Sequence, residues 1–109
     1  MRLIIAAVGR LKQGPEQELA DRYRKRFDDL GRKLGFRGPD ICDIAESRAR
    51  DATTRIAEEA VAIASRCPDR AVLVALDERG DNIESAAFAR HLARWRDEQV
   101  ADLVFMIGG

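Results

Sequence analysis

The sequence has one histidine, two cysteines and no surplus of charge, and each shortage removes a class of function. His91 has no second histidine or cysteine at ligand spacing, and Cys42 and Cys67 stand outside any Cys-x-x-Cys pattern. A zinc site or dithiol centre built on such spacings is therefore excluded, and we expect no metal. Lys plus Arg and Asp plus Glu both number 19, a balance that argues against nucleic-acid binding by a broad basic field. The apolar run Leu3 to Val8 is too short for a signal or a membrane span. We expect a cytoplasmic protein whose two thiols stay reduced and pack as small apolar groups. No Ser-His-Asp, Cys-His or G-x-G-x-x-G arrangement is present, and no linker, repeat or low-complexity stretch divides the chain. Residues 1–109 are expected to form a single domain.

What is present is an alternation of apolar runs and amphipathic stretches. Arg2 to Val8 reads as a first strand, continuous enough to be central, and Gly9 ends it. Pro15 opens a helix whose Glu16 and Glu18 complement the N-terminal dipole. Leu19, Tyr23, Phe27, Leu30 and Leu34 mark one face of it. Arg22, Arg24, Lys25 and Arg26 around that stripe read as a solvated flank, with a phosphate-contacting edge as the second reading. Gly38-Pro39 turns the chain into a short strand, Asp40 to Ala45, expected at an edge. Asp51 to Cys67 makes a second helix with Asp51 as N-cap, Pro68 as terminator and Ile56, Ala60, Ile63 and Cys67 on one face. Ala71 to Leu76 is a third strand. Ser85 to about Glu98 is a third helix, capped by Ser85 and buried through Phe88, Leu92 and Trp95. Leu103 to Ile107 is a fourth strand, apolar on both faces, as in a parallel sheet covered by helices. The order β-α-β-α-β-α-β predicts an α/β fold with a mostly parallel sheet flanked by helices.

Ligands of such sheets sit beyond the carboxyl ends of the strands. The last strand runs into Gly108-Gly109, where absent Cβ atoms would let a ligand approach the backbone. If the third and fourth strands are neighbours, Leu76 to Gly80 and Ile107 to Gly109 converge on one crevice. Leu76 and Ile107 then offer apolar contact to a flat ring, and backbone groups grip polar atoms. A strand that ends in an uncompleted loop is expected to be the boundary of a truncated domain. Two rival chemistries fail. Gly9 to Gly14 has phosphate-loop spacing, but Pro15-Glu16 stands where Lys-Ser/Thr is required. Asp77 sits where a receiver domain carries its phosphorylated aspartate, yet Gly9-Arg10 puts a cation where the magnesium-binding acids belong. Asp77 and Glu78 read as solvated loop carboxylates, and His91 receives no role.

Several segments together carry a resemblance: Leu3-Ile-Ile-Ala-Ala-Val-Gly-Arg-Leu-Lys12, Tyr23-Arg-Lys-Arg-Phe27, Ala75-Leu-Asp-Glu-Arg-Gly80, Ser85 with Phe88-Ala89, and Phe105-Met-Ile-Gly-Gly109. In order and spacing over all 109 residues, the chain resembles the RlmH family (YbeA-like) of SPOUT methyltransferases. That resemblance implies an S-adenosylmethionine-dependent enzyme that methylates N3 of a pseudouridine in large-subunit (23S) ribosomal RNA on the assembled ribosome, working as a homodimer. It implies cofactor contacts at Leu76 and Gly108, in the crevice with Ile107 and Gly109. It also implies a further strand and a C-terminal helix threaded into a trefoil knot, with a histidine-containing tail at the substrate site, none of which these residues contain. No catalytic residue is identifiable. The alternative reading is a non-catalytic α/β interaction module.

Overall fold

Four apolar runs become four strands, and three amphipathic stretches become the helices between them. The computed structural model describes residues 1–9, 14–76 and 80–107. In chain order the elements are β1 (Arg2–Val8), α1 (Pro15–Gly31) with a 3₁₀ turn (Arg32–Leu34), β2 (Arg37–Ile44), α2 (Ala52–Arg66), β3 (Val72–Leu76), α3 (Ser85–Asp97) and β4 (Asp102–Ile107). The strands form one sheet in the order β2-β1-β4-β3, and each neighbouring pair is parallel. The expected α/β class is therefore what the chain adopts, with β1 in the interior and β2 at an edge.

Period-two alternation divides the core in two. Ile4, Ala6, Ile44 and Val104 form one cluster, covered from α2 by Ala62, Ile63 and Cys67. Leu3, Phe36 and Leu103 form the other, joined by Phe27 of α1 and Leu92 and Trp95 of α3. Leu103 and Val104 point to opposite faces and are both fully buried, as the unbroken apolar run of β4 requires. Cys42 and Cys67 are free, half-buried and packed against the α2-side cluster.

Four local expectations are corrected. Strand β2 begins at Arg37 rather than Asp40, so Gly38 and Pro39 lie inside it. An edge strand tolerates proline because one side of its backbone needs no ladder partner. Arg37 pairs with Arg2 and Asp40 with Ile4, and the register slips between them. Gly38 has φ +97°, and a Cβ there would stand 2.6 Å from the carbonyl oxygen of Leu3, so this position demands glycine. The cap of α3 is Glu84 rather than Ser85, and no side chain bonds to its first turn. On α2, Ile56 stays 70% exposed and Ala60 is exposed as well; the packed face starts later, at Ala62 and Ile63. On α1 only Phe27 of the predicted stripe reaches a core cluster. Leu19, Tyr23 and Leu30, with Leu34 in the 3₁₀ turn, remain exposed, and Tyr23 and Leu30 line an open groove together with Leu3, Ile5, Ile41 and Phe105 of the sheet.

Candidate functional site

The carboxyl ends of the strands lie side by side. Leu76 is the register partner of Ile107, and Ile107 is also aligned with Ala7 of β1. One residue further along, Val8 is aligned with Ile44 of β2. The third and fourth strands are thus neighbours, the condition on which the crevice rested. Val74 and Phe105 pack into the α1/α3 cluster, so Leu76 and Ile107, two residues on, face the same side of the sheet. They are 54% and 39% exposed, two apolar side chains forming a flat surface at a strand edge. That surface has the flat, apolar character expected of one wall of the crevice, and nothing in it conflicts with the implied cofactor. Gly108 and Gly109, the other two expected contacts, lie outside the described residues, as do Asp77 and Glu78 and residues 10–13 of the phosphate-loop reading.

The rest of this edge is built by Gly9 and the loop after β2. The N–H of Gly9 donates to the carbonyl of Ile44 at 2.8 Å. Gly9 has φ +88°, and a Cβ on it would meet the Glu46 carboxylate at 3.1 Å. The chain therefore leaves β1 in a conformation that suits glycine, with an acidic side chain beside it. This pairing was hidden in the sequence, where Glu46 to Arg50 reads only as a charged loop; nothing local marks Glu46 as the neighbour of Gly9.

Three groups among the described residues have a shifted ionisation. Asp51 is held below the usual carboxylate range because it accepts hydrogen bonds from the N–H and the hydroxyl of Thr54, each 3.0 Å long. It is the N-cap of α2, as expected. Burial pushes the Cys67 thiol up, with a smaller contribution from Cys42, so it is a packed rather than a reactive thiol. The Arg32 guanidinium is raised by its hydrogen bond and charge pairing with Asp28, one turn earlier. His91 is half-buried and stacks on Trp95 with ring centroids 5.8 Å apart, a packing role. Among the described residues, no group of three or more His, Cys, Asp or Glu is placed to hold a metal ion. No helix of the described residues is long and apolar enough to cross a membrane.

Away from this edge, a groove of about 700 Å³ runs along α1, lined by Leu3, Ile5, Tyr23, Phe27, Ile41 and Phe105 among others. It continues the uncovered stripe of α1 and includes neither Leu76 nor Ile107.

The pattern of strands, edge and glycines has a counterpart among known proteins. All of residues 1–109 match the family described as "Predicted SPOUT methyltransferase". The chain belongs to the SPOUT methyltransferase family. It is 70% identical over its whole length to the ribosomal RNA large subunit methyltransferase H of Rhodopseudomonas palustris (strain BisB18), of which it covers 68%. The proteins of the same name from Bradyrhizobium sp. (strain ORS 278) and Nitrobacter hamburgensis are 69% and 70% identical, with 67% and 68% of their lengths covered. The chain thus spans about two thirds of the length of these relatives. Family membership agrees with the resemblance carried by the strand and glycine segments.

Proposed function

We propose that this protein methylates large-subunit ribosomal RNA with S-adenosylmethionine, at N3 of a pseudouridine on the assembled ribosome. The observation that carries the reading is the alignment of Leu76 with Ile107 at the carboxyl edge, both exposed. Membership of a methyltransferase family supports it, as do relatives named for methylation of large-subunit RNA. Leu76 and Ile107 would hold the apolar part of the cofactor, and the backbone of Gly108 and Gly109 would approach its polar atoms. When bound, S-adenosylmethionine supplies an electrophilic methyl group. The chain's own contribution is orientation: a rigid strand edge fixes the donor against the target nitrogen, so that proximity lowers the barrier. The exposed face of α1 supports a homodimer, since Leu19, Tyr23 and Leu30 form an apolar strip that the sheet leaves uncovered. Charge balance fits an enzyme that draws much of its RNA affinity from the shape of the ribosome.

The test uses the full-length protein. Calorimetry is expected to show S-adenosylmethionine binding that Gly108→Val abolishes while the far-ultraviolet circular dichroism stays unchanged. Transfer of labelled methyl to large ribosomal subunits is expected to vanish with it. A folded Gly108→Val protein with unchanged affinity would remove this edge from the cofactor site. A protein that neither binds the cofactor nor modifies subunits would favour the interaction-module reading.

A further inference from the structure

The loop joining β2 to α2, residues 45–51, leaves the sheet at the same edge as Leu76 and Ile107. Side chains at both ends set its shape. The Ser47 hydroxyl donates to the Glu58 carboxylate and accepts from the N–H of Ala49 at 3.2 Å. Asp51 accepts from the N–H and hydroxyl of Thr54. These bonds direct Glu58 and Asp51 toward the loop and the helix, while Glu46 lies beside Gly9. Three cations remain: Arg48 and Arg50 in the loop and Arg55 in the first turn of α2, all exposed. Among the described residues none of the three has a carboxylate within 4 Å, whereas Arg2, Arg32, Arg94 and Arg96 each have one. Three exposed guanidiniums within eight residues, on an anchored loop at the carboxyl edge, offer the planar donor groups that bind phosphate oxygens. Glu46, Asp51 and Glu58 balance them in number. The loop therefore exerts little long-range attraction, and its role is contact at a set place.

We propose that Arg48, Arg50 and Arg55 contact RNA phosphates next to the modified nucleotide, making the β2–α2 loop a substrate-positioning surface. This rests on the RNA methyltransferase reading above. Phosphate contacts fix the register of a protein on its nucleic acid and carry no sequence information. They release counterions, so each lost contact lowers the slope of log affinity against log salt by about one.

The decisive measurement is binding of full-length protein to unmodified large ribosomal subunits across about 50 to 200 mM KCl, together with KM and kcat for methyl transfer. The triple variant R48A/R50A/R55A is expected to bind about 10- to 100-fold more weakly, with a slope smaller by about three. Its KM should rise more than its kcat falls, and its affinity for S-adenosylmethionine should hold. Replacing all three by lysine should restore most of the slope. Arg94→Ala, which removes a guanidinium paired with Glu98 on α3, should leave the slope alone. If the triple variant melts early, Arg48→Ala and Arg50→Ala decide singly, since both lie outside helix and strand; each should lose about one unit of slope. A folded variant with wild-type slope, or weakened binding with an unchanged slope, overturns the positioning role and leaves the methylation reading standing. A wild-type protein that binds the cofactor but neither binds nor methylates subunits overturns both.

Discussion

At the amino ends of the strands the chain is tied together by bonds from distant residues. The terminal amine of Met1 donates to the carbonyl of Gly35 at 2.8 Å, and Arg2 pairs with Asp102 at 2.9 Å. Arg96, from α3, donates to the carbonyl of Leu34 at 3.0 Å and lies over the Phe36 ring. At the carboxyl ends stand Gly9, with its left-handed φ of +88°, and the exposed side chains of Leu76 and Ile107. The same four strands therefore end in a stapled edge on one side and an edge with exposed apolar side chains on the other. A parallel sheet makes this division natural, because all strands enter at one edge and leave at the other. Residues that lock the fold then need not compete with residues that would meet the proposed cofactor.

The division can be broken most forcefully at Gly38. Gly38→Ala puts a methyl group 2.6 Å from the Leu3 carbonyl in a left-handed conformation, and should cost about 3 kcal/mol of unfolding free energy. Urea denaturation would show it as a lower midpoint with an unchanged slope; a stability loss too small to measure would mean that the amino edge is not a lock. A smaller loss, about 1 kcal/mol, is expected for Arg96→Ala, which removes the bond to the Leu34 carbonyl and the contact with Phe36. Arg96→Lys should recover only part of it, since lysine lacks the planar group that lies over the ring. The smallest effect belongs to the opposite edge. Leu76→Ser should change stability by less than about 0.5 kcal/mol, because half of that side chain is already in water, while S-adenosylmethionine binding weakens about tenfold. A Leu76→Ser protein that unfolds early would place a structural staple at the carboxyl edge and erase the contrast.

Much of this was legible in residue order. Unbroken apolar runs at Leu3 to Val8 and Leu103 to Ile107 announce buried parallel strands, because no polar residue alternates to meet water. Asp51 announces a cap, since it can bond the free N–H groups of the turn that follows it. That Leu76 and Ile107 end two such runs was readable too, and the register places them side by side. The boundary of β2 was not readable. Glycine and proline signal a turn locally, and only the edge position next to Leu3 lets Gly38 and Pro39 remain in a strand. The stripe from Leu19 to Leu30 does lie on a helix, yet periodicity describes a helix by itself and says nothing about how closely it packs on the sheet beneath it.

The sequence by itself determined the kinds of element and their order, because strand and helix periodicities and caps depend on neighbours a few residues apart. It determined the family as well, through segments whose spacing is a property of the chain. Only the tertiary structure decided that β3 lies beside β4, that Glu46 comes to Gly9, and that Arg48 and Arg50 share an edge with Leu76. Strand order is a matter of long-range pairing, in which several arrangements of the same apolar runs compete, and the winner is the one that buries Leu103 and Val104 completely.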